Sequence, residues 1–314
     1  MEFRPLGSSG IQVSCFSLGS WLTYEFMDEQ DALAVIRAGI EQGINFLDDA
    51  RYNDRTGHAP MKPGYSEVLF GRLLRAGGWN RHDLIIANKL WYEFYPEQSV
   101  VEELESSLSR LQMDYLDLIY CETQPASLPM IEMVKQLDEL IKTGKLRAWG
   151  VLNWDITRIE EAHQAAMAEG LTPPCAAQLA YSLLNRFPIE KEETQKVFRA
   201  ANMSIVASYS LYGGLLSGKY NSEEAIKGRF KRQEIQALHE KGLLNQVNQA
   251  IRLAQELGCT AAQLALAYCL KNAQVSSVLF GATKVRQLQE NLRALDILPR
   301  LNDQVMTKLQ NLNN

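Results

Sequence analysis

The 314-residue sequence predicts an α/β protein whose parallel strands close into a (β/α)8 barrel, the TIM-barrel architecture. Eight short runs of apolar and β-branched residues alternate with longer amphipathic patterns, as expected for parallel strands joined by helices. Eight such units in a chain of this length favour a closed barrel over an open doubly wound sheet. No Gly-x-Gly-x-x-Gly follows the first strand, so the main sign of a Rossmann domain is absent.

The predicted elements follow one another along the whole chain. The strands are expected at 16–18, 45–48, 84–88, 116–120, 148–152, 176–179, 204–208 and 277–280. The helices between them include 29–41, 66–75, 97–111, 129–143, 156–169, 191–201 and 260–271. Before the first strand, residues 3–6 and 11–13 flank Gly7-Ser8-Ser9-Gly10, which predicts a β-hairpin that plugs the bottom of the barrel. No linker rich in Pro, Gly or Ser interrupts the pattern, so we expect one domain over residues 1–314.

Composition excludes several classes of protein. A net charge of -5 without a basic block argues against a nucleic-acid partner. The start of the chain lacks the apolar core of a signal peptide, and no run approaches membrane-spanning length, so we expect a cytoplasmic protein without membrane attachment. The five cysteines are scattered without a Cys-x-x-Cys pair, which favours reduced thiols and predicts no metal site.

Several short strings occur in the order and spacing of one known family. The first is 43–52, Gly-Ile-Asn-Phe-Leu-Asp-Asp-Ala-Arg-Tyr, followed by a helical pattern at 65–74. Others lie at 87–89, 150–153, 178–186, 208–218, 281–283 and 290–291. Through these strings nearly the whole chain resembles the aldo-keto reductases.

The resemblance implies a catalytic group at the ends of neighbouring strands. Asp48 and Lys89 match the acid and the lysine of the family, and we expect them to pair because a lone buried charge is costly. Tyr52 is expected to give its proton to a carbonyl oxygen as hydride arrives from a nicotinamide, with Lys89 and Asp48 lowering the pKa of the phenol. The family usually places its Tyr five residues after the Asp, where this chain has Asn53. A turn shortened by one residue would still deliver Tyr52; the alternative is a packing aromatic, and an ion pair of Arg51 with Asp48 or Asp49 would perturb the phenol.

Glu122 stands where the family usually has a histidine that orients the carbonyl. The steroid 5β-reductases, a branch of the same family, carry Glu at this place and reduce a carbon-carbon double bond conjugated to a ketone. A protonated Glu122 would polarise the enone oxygen in the same way, and burial beside another carboxylate would favour that proton. Alternatively, Glu122 forms a salt bridge with Lys89 or Arg51, and the protein is a weak ketone reductase or has lost catalysis. The sequence leaves carbonyl reduction and enone reduction open.

The resemblance also implies where a nicotinamide cofactor binds. Asn153 and Gln178 are expected to hold its carboxamide, although Leu152 replaces the usual Ser before that Asn. Tyr209 is expected to stack on the nicotinamide ring. The residues expected to border the ribose are Ser20 and Trp21.

The remaining cofactor residues fall in two segments. The loop expected to wrap the pyrophosphate supplies Ser210, Tyr212, Gly214 and Ser217. The region expected around the 2'-phosphate and adenine supplies Gly281, Thr283, Lys284, Gln287, Glu290 and Asn291. Because this second region opens a helix and carries Lys284 and Arg286, we expect NADPH in preference to NADH.

The predicted strand-end loops suggest what else the site contacts. They carry the aromatic residues Trp21, Tyr24, Phe26, Trp91, Tyr92, Phe94, Tyr95 and Trp154. Because strand-end loops are rarely core, these residues favour an apolar, ring-containing small-molecule substrate. The irregular stretch 53–64 is a candidate lid or specificity loop. The alternative function is a non-catalytic nicotinamide-binding subunit, similar to the potassium-channel β subunits of the superfamily; the sequence leaves monomer and homo-oligomer open.

Overall fold

The computed structural model describes residues 1–221 and 232–312, and eight of its strands form a closed parallel barrel. The barrel strands are β3 Phe16–Gly19, β4 Phe46–Asp48, β5 Ile85–Leu90, β6 Leu116–Cys121, β7 Leu146–Leu152, β8 Ala176–Ala180, β9 Ser204–Ser208 and β10 Val275–Phe280. They pair in sequence order, and β10 closes the circle by pairing with β3. The predicted (β/α)8 barrel is therefore confirmed.

Helices surround the barrel. Their bounds are α1 Glu29–Glu41, α2 Tyr65–Gly77, α3 Val100–Leu111, α4 Met130–Lys142, α5 Ile156–Ala168, α6 Phe187–Glu190, α7 Glu192–Ala200, α8 Arg232–Glu240, α9 Leu243–Glu256, α10 Ala261–Lys271, α11 Val285–Leu292, α12 Ala294–Ile297 and α13 Asp303–Gln310. The predicted helix 97–111 begins only at Val100, because Ser99 and Glu102 form a capping box that fixes the first turn. Within the described parts of the chain, no helix is both long and apolar enough to cross a membrane.

The predicted hairpin is present at the N-terminal end of the barrel. Strands β1 Phe3–Pro5 and β2 Gln12–Ser14 pair antiparallel. Leu6 and the neighbouring side chains of the hairpin are buried in the same apolar cluster as residues of the barrel interior. Gly7 approaches so closely that a Cβ there would lie 2.0 Å from the Cys175 carbonyl oxygen, and its φ of +52° suits glycine. The hairpin thus closes one end and leaves the mouth at the carboxyl ends of the strands for a site.

Candidate active site

A buried ion pair lies at the carboxyl ends of β4 and β5. Lys89 Nζ donates to Asp48 Oδ1 at 2.5 Å and to the main-chain oxygen of Asp49 at 3.1 Å. Gln178 of β8, one of the two residues expected to hold the nicotinamide carboxamide, donates from Nε2 to Asp48 Oδ2 at 2.8 Å. Asp48 and Lys89 are only 2% and 3% exposed. The charge of each is therefore compensated by its partner, as expected from the cost of burying either alone.

Tyr52 reaches this pair despite its shortened spacing. The Tyr52 amide hydrogen-bonds to the Ala50 carbonyl at 2.8 Å and to the Ser66 hydroxyl at 3.1 Å, which tightens the turn after β4. The half-buried Tyr52 ring lies with its centroid 5.5 Å from Lys89 Nζ. A shorter turn thus still places the Tyr52 ring beside Lys89.

The pKa of the Tyr52 phenol is raised rather than lowered, contrary to the expectation from the family. Burial is the main cause, and the nearby carboxyls of Asp48 and Asp49 act in the same direction. The phenol is accordingly neutral at physiological pH, the state that a proton donor requires.

Arg51 pairs with Glu93 and Glu103 rather than with Asp48 or Asp49, the ion pair that the sequence had left open. The buried Arg51 guanidinium donates to Glu93 Oε2 at 2.9 Å and lies 3.9 Å from Glu103 Oε1. Glu103 in turn accepts the amides of Trp91 at 2.8 Å and of its neighbour in the loop after β5. Arg51 therefore ties the turn after β4 to the loop after β5.

Glu122 directly follows β6, where its amide donates to the Leu90 carbonyl at 2.9 Å. The half-buried carboxylate accepts from the Thr123 amide at 3.0 Å. Among the described residues it has no ion pair, and the proposed salt bridges to Lys89 or Arg51 are absent because those cations pair elsewhere. Glu122 thus remains a polar group at the strand ends beside the Lys89 strand.

The stretch 53–64 forms a loop whose ends are held together. The Gly64 amide donates to the Tyr52 carbonyl at 3.1 Å. Inside the loop Asp54 accepts from the hydroxyl and amide of Thr56 at 2.6 and 2.8 Å and pairs with Lys62 at 3.1 Å. The Thr56 hydroxyl is the main cause that holds the pKa of Asp54 well below its usual range. The loop is therefore internally braced next to Tyr52.

The residues predicted for the nicotinamide and ribose lie at the ends of their strands. Asn153 is exposed after β7, with a left-handed φ of +54°, and its amide donates to the Gln178 carbonyl. Tyr209, after β9, has φ +56° and a half-buried ring. Such left-handed conformations are unfavourable for side-chain-bearing residues and concentrate at functional sites. Trp21 is 39% exposed, whereas the Ser20 hydroxyl is buried and committed to Asp49 Oδ1.

The predicted pyrophosphate segment is a 3-10 helical stretch, Tyr212–Ser217, interrupted by left-handed glycines. Ser217 donates to the Gly214 carbonyl at 2.7 Å, and Ser210 to the Ala207 carbonyl at 3.2 Å. A Cβ at Gly214 would lie 2.6 Å from Lys219 Nζ. Lys219 was not predicted, and its charge next to the glycine turn is what a pyrophosphate would need.

The predicted adenine and 2'-phosphate region surrounds the start of α11. Thr283 donates its amide to Gln287 Oε1 at 3.0 Å, while Lys284 is exposed at the N-cap without a side-chain cap. Arg286 pairs with Glu290 at 2.8 Å, so Lys284 is the less engaged cation of the two. Buried Asn291 has an Nδ2 atom without a hydrogen-bond partner among the described residues.

The segment between β10 and α11 packs closely against a neighbouring loop and carries groups suited to a nucleotide. A Cβ at Gly281 would meet Thr23 Oγ1 at 2.7 Å, so the residue that follows β10 lies against the loop that follows β3. A free donor on Asn291, a free helix start and the cation Lys284 are the kinds of groups that a phosphate-bearing nucleotide requires. The residues present fit a dinucleotide cofactor.

The aromatic residues divide into two sets. Tyr52 packs between Trp21 and Trp91, with ring centroids 6.5 and 6.2 Å away. Phe26 and Phe94 are also exposed, at 53% and 47%. In contrast, the expectation that strand-end aromatics avoid the core was wrong for the buried Tyr24, Tyr92 and Trp154.

Comparison with known proteins gives the family. A family model described as "Aldo/keto reductase family" matches residues 16–314. The chain belongs to the aldo/keto reductase family. This confirms the resemblance drawn from the sequence; the family comprises oxidoreductases that use nicotinamide cofactors.

Two relatives match along almost their whole length. One, from Oryza sativa subsp. japonica, is named "Probable voltage-gated potassium channel subunit beta" and is 33% identical over 99% of this chain and 96% of its own. Another of the same name, from Arabidopsis thaliana, is 32% identical over the same shares. This aldo/keto reductase is thus similar to proteins named for a channel subunit.

We expect Lys89→Met to lower the free energy of unfolding by about 3–5 kcal/mol, because it leaves the Asp48 carboxylate buried without its cation. Adding Asp48→Asn should restore part of that loss, so the two changes should not be additive. Urea unfolding at neutral pH measures both. Lys135→Met, which breaks the exposed pair with Glu132, is the control and should cost at most about 1 kcal/mol. Additive losses at Lys89 and Asp48 would show that the two side chains are not coupled.

Proposed function

We propose that the protein is an NADPH-dependent reductase that delivers hydride to a carbonyl or to the double bond of a conjugated enone. The observation that carries this proposal is the contact of Tyr52, Lys89 and Asp48 at the open mouth of the barrel. A neutral phenol beside a compensated ammonium is suited to donate a proton to a substrate oxygen. Bound NADPH would supply the hydride.

Each residue of the site has a separate proposed role in the reaction. Tyr52 is proposed to hold the proton at its phenolic oxygen, and Asp48 holds the Lys89 side chain in place beside the Tyr52 ring. Gln178 and Asn153 are proposed to hold the carboxamide, although Gln178 also donates to Asp48 and so couples that place to the ion pair. Glu122 is proposed to polarise the acceptor oxygen. Its freedom from ion pairs with Lys89 and Arg51 leaves it available for this role.

The mouth supports an apolar, ring-containing substrate. The Tyr52 ring lies between the rings of Trp21 and Trp91 there, tilted against the first and edge-on to the second. Phe26 and Phe94 are exposed in the strand-end loops. Flat aromatic surfaces bury a ring with little loss of conformational freedom. The loop 53–64 next to Tyr52 is proposed to contribute to specificity.

A second candidate is a nicotinamide-binding regulatory subunit, favoured by the names of the two relatives that match over nearly the whole chain. Such a subunit would bind the cofactor and a partner protein without needing turnover. It does not by itself account for the assembled Tyr52–Lys89–Asp48 contact. Oxidation of NADPH in the presence of a panel of enones, ketones and aldehydes separates the two candidates.

We further propose that the protein works in the cytoplasm, as a monomer or a homo-oligomer, without a nucleic-acid or membrane partner. All five cysteines are free, and four of them are buried, which suits a reducing compartment.

NADPH should bind more tightly than NADH. Lys284 stands at an uncapped helix start, where a phosphate meets both the cation and the free amides. Lys284→Met should weaken NADPH binding about tenfold and leave NADH binding nearly unchanged, whereas Lys271→Met, an exposed lysine of α10, should change neither. Titration of tryptophan fluorescence with each cofactor measures this. Equal affinities of the wild-type protein for NADPH and NADH would contradict the assignment of this phosphate site.

Tyr52→Phe should lower turnover by about two to four orders of magnitude while NADPH affinity stays nearly constant. Lys89→Met should act in the same direction without adding to it, since both affect one proton transfer. Tyr65→Phe is the control, because that hydroxyl contacts Arg72 on α2. If Tyr52→Phe retains wild-type turnover, the donor lies elsewhere.

Glu122→His should shift the product from an enone toward the allylic alcohol, because imidazole fills the space in which the substrate shifts to expose its β-carbon. Glu122→Gln is the matched control; it keeps the shape and can donate a hydrogen bond, so the saturated ketone should remain the main product. Chromatography of the products measures the ratio. A wild type that forms only alcohol would leave carbonyl reduction as the activity.

A further inference from the structure

Asp49, next to the catalytic Asp48, has an unusual environment for an acidic side chain. It is fully buried, and its Oδ1 atom accepts a short hydrogen bond from the Ser20 hydroxyl. Its Oδ2 atom is buried without a hydrogen-bond partner among the residues that the structure describes. Lys89 contacts Asp49 only through the main-chain oxygen, at 3.1 Å.

The buried charges around Asp49 do not balance if every carboxyl is ionised. Asp48 is paired with Lys89, and the fully buried Glu67 of α2 is paired with Arg110 of α3 and accepts from Asn88 Nδ2 at 2.9 Å. Both cations are therefore engaged with other carboxylates. Asp49 is the third carboxyl in a cluster with two cations, and a buried charge without a counter-charge is strongly disfavoured.

The other titratable neighbours do not compensate a negative charge on Asp49. They are the Tyr24 phenol, from the 3-10 turn after β3, and the Tyr52 phenol. Burial, followed by the Glu67 carboxylate, raises the pKa of Asp49 well above its usual range, against smaller effects of Ser20, the backbone and Lys89. The direction agrees with the charge balance.

We propose that Asp49 is a positioning residue: a neutral carboxylic acid that holds Lys89 in place and releases it on ionisation. The Ser20 bond fixes the main chain at residue 49, whose carbonyl is the second acceptor of the Lys89 ammonium. Loss of the Asp49 proton adds a carboxylate that competes with Asp48 for Lys89. The inference rests on the proposed function only in treating Lys89 as part of a catalytic group.

The first test compares the unfolding of wild type and Asp49→Asn as a function of pH. An unfolded Asp titrates near about 3.9, and the folded Asp49 titrates higher. Below that unfolded value both states hold the proton, and the difference between the proteins is constant. Above it only the folded wild type keeps the proton, so wild-type stability falls relative to Asp49→Asn as pH rises. The ratio of unfolding constants should change about tenfold per pH unit until the folded carboxyl ionises.

Asp117→Asn is the matched control, because Asp117 is equally buried but paired with both Arg81 and Arg147. This control should be less stable than wild type at neutral pH, because Arg81 and Arg147 lose the carboxylate with which they pair. The proposal is overturned if the free energies of unfolding of wild type and Asp49→Asn change in parallel with pH. It is also overturned if Asp49→Asn loses stability relative to wild type as pH rises, because Asp49 is then not a neutral acid.

The second test follows the site itself by NMR, with ¹³C-labelled aspartate carboxyls and ¹⁵N-labelled lysine side chains. The Asp49 carboxyl should remain protonated at neutral pH. On raising the pH, the Lys89 Nζ signal should shift in step with Asp49, and in Asp49→Asn it should stay constant over that range. A Lys89 signal that ignores the Asp49 titration would overturn the positioning role. Neither test uses turnover, so a protein without reductase activity would refute the proposed function but not this inference.

Discussion

Lys89 and Asp48 are each almost wholly removed from water, and neither charge is stable there without the other. The carboxyl ends of β4 and β5 and, through Gln178, the third residue of β8 are therefore held at fixed separations. Only a closed barrel brings these three strands to one point, since β4 and β8 are remote in strand order. The ion pair thus links the architecture to the chemistry: it requires the barrel, and it fixes the charge beneath Tyr52.

Much of this arrangement could be predicted from the sequence, because it depends on strong local patterns. Strand β9 begins and ends as predicted, and so does α1, which Asp28 caps. Asp48 and Lys89 could be matched through the family resemblance, and each lies at or next to the carboxyl end of a buried strand, where an isolated charge needs a partner. The Tyr52 ring lies beside Lys89 although the turn before Asn53 is one residue shorter than is usual in the family.

What the sequence did not reveal depends on partners far away in the chain. Arg51 bonds to Glu93 and Glu103, which lie on the loop after β5 and on α3, and no local spacing identifies them. The raised pKa of Tyr52 likewise follows from burial and from the nearby carboxyls of Asp48 and Asp49, and a sequence motif reports neither the burial nor the distances. Lys219 was missed because only the fold of the glycine turn brings its ammonium to Gly214.

The hairpin at the other end of the barrel restricts the routes by which ligands can enter and leave. With Leu6 and its neighbours packed into the barrel interior and Gly7 pressed against the Cys175 carbonyl, that end offers no passage. Two ligands bound together next to Tyr52 would therefore both enter and leave through the single opening at the carboxyl ends of the strands. The ligand that lies deeper would therefore bind first and leave last. The closed end of the barrel thus imposes an ordered sequence of binding and release.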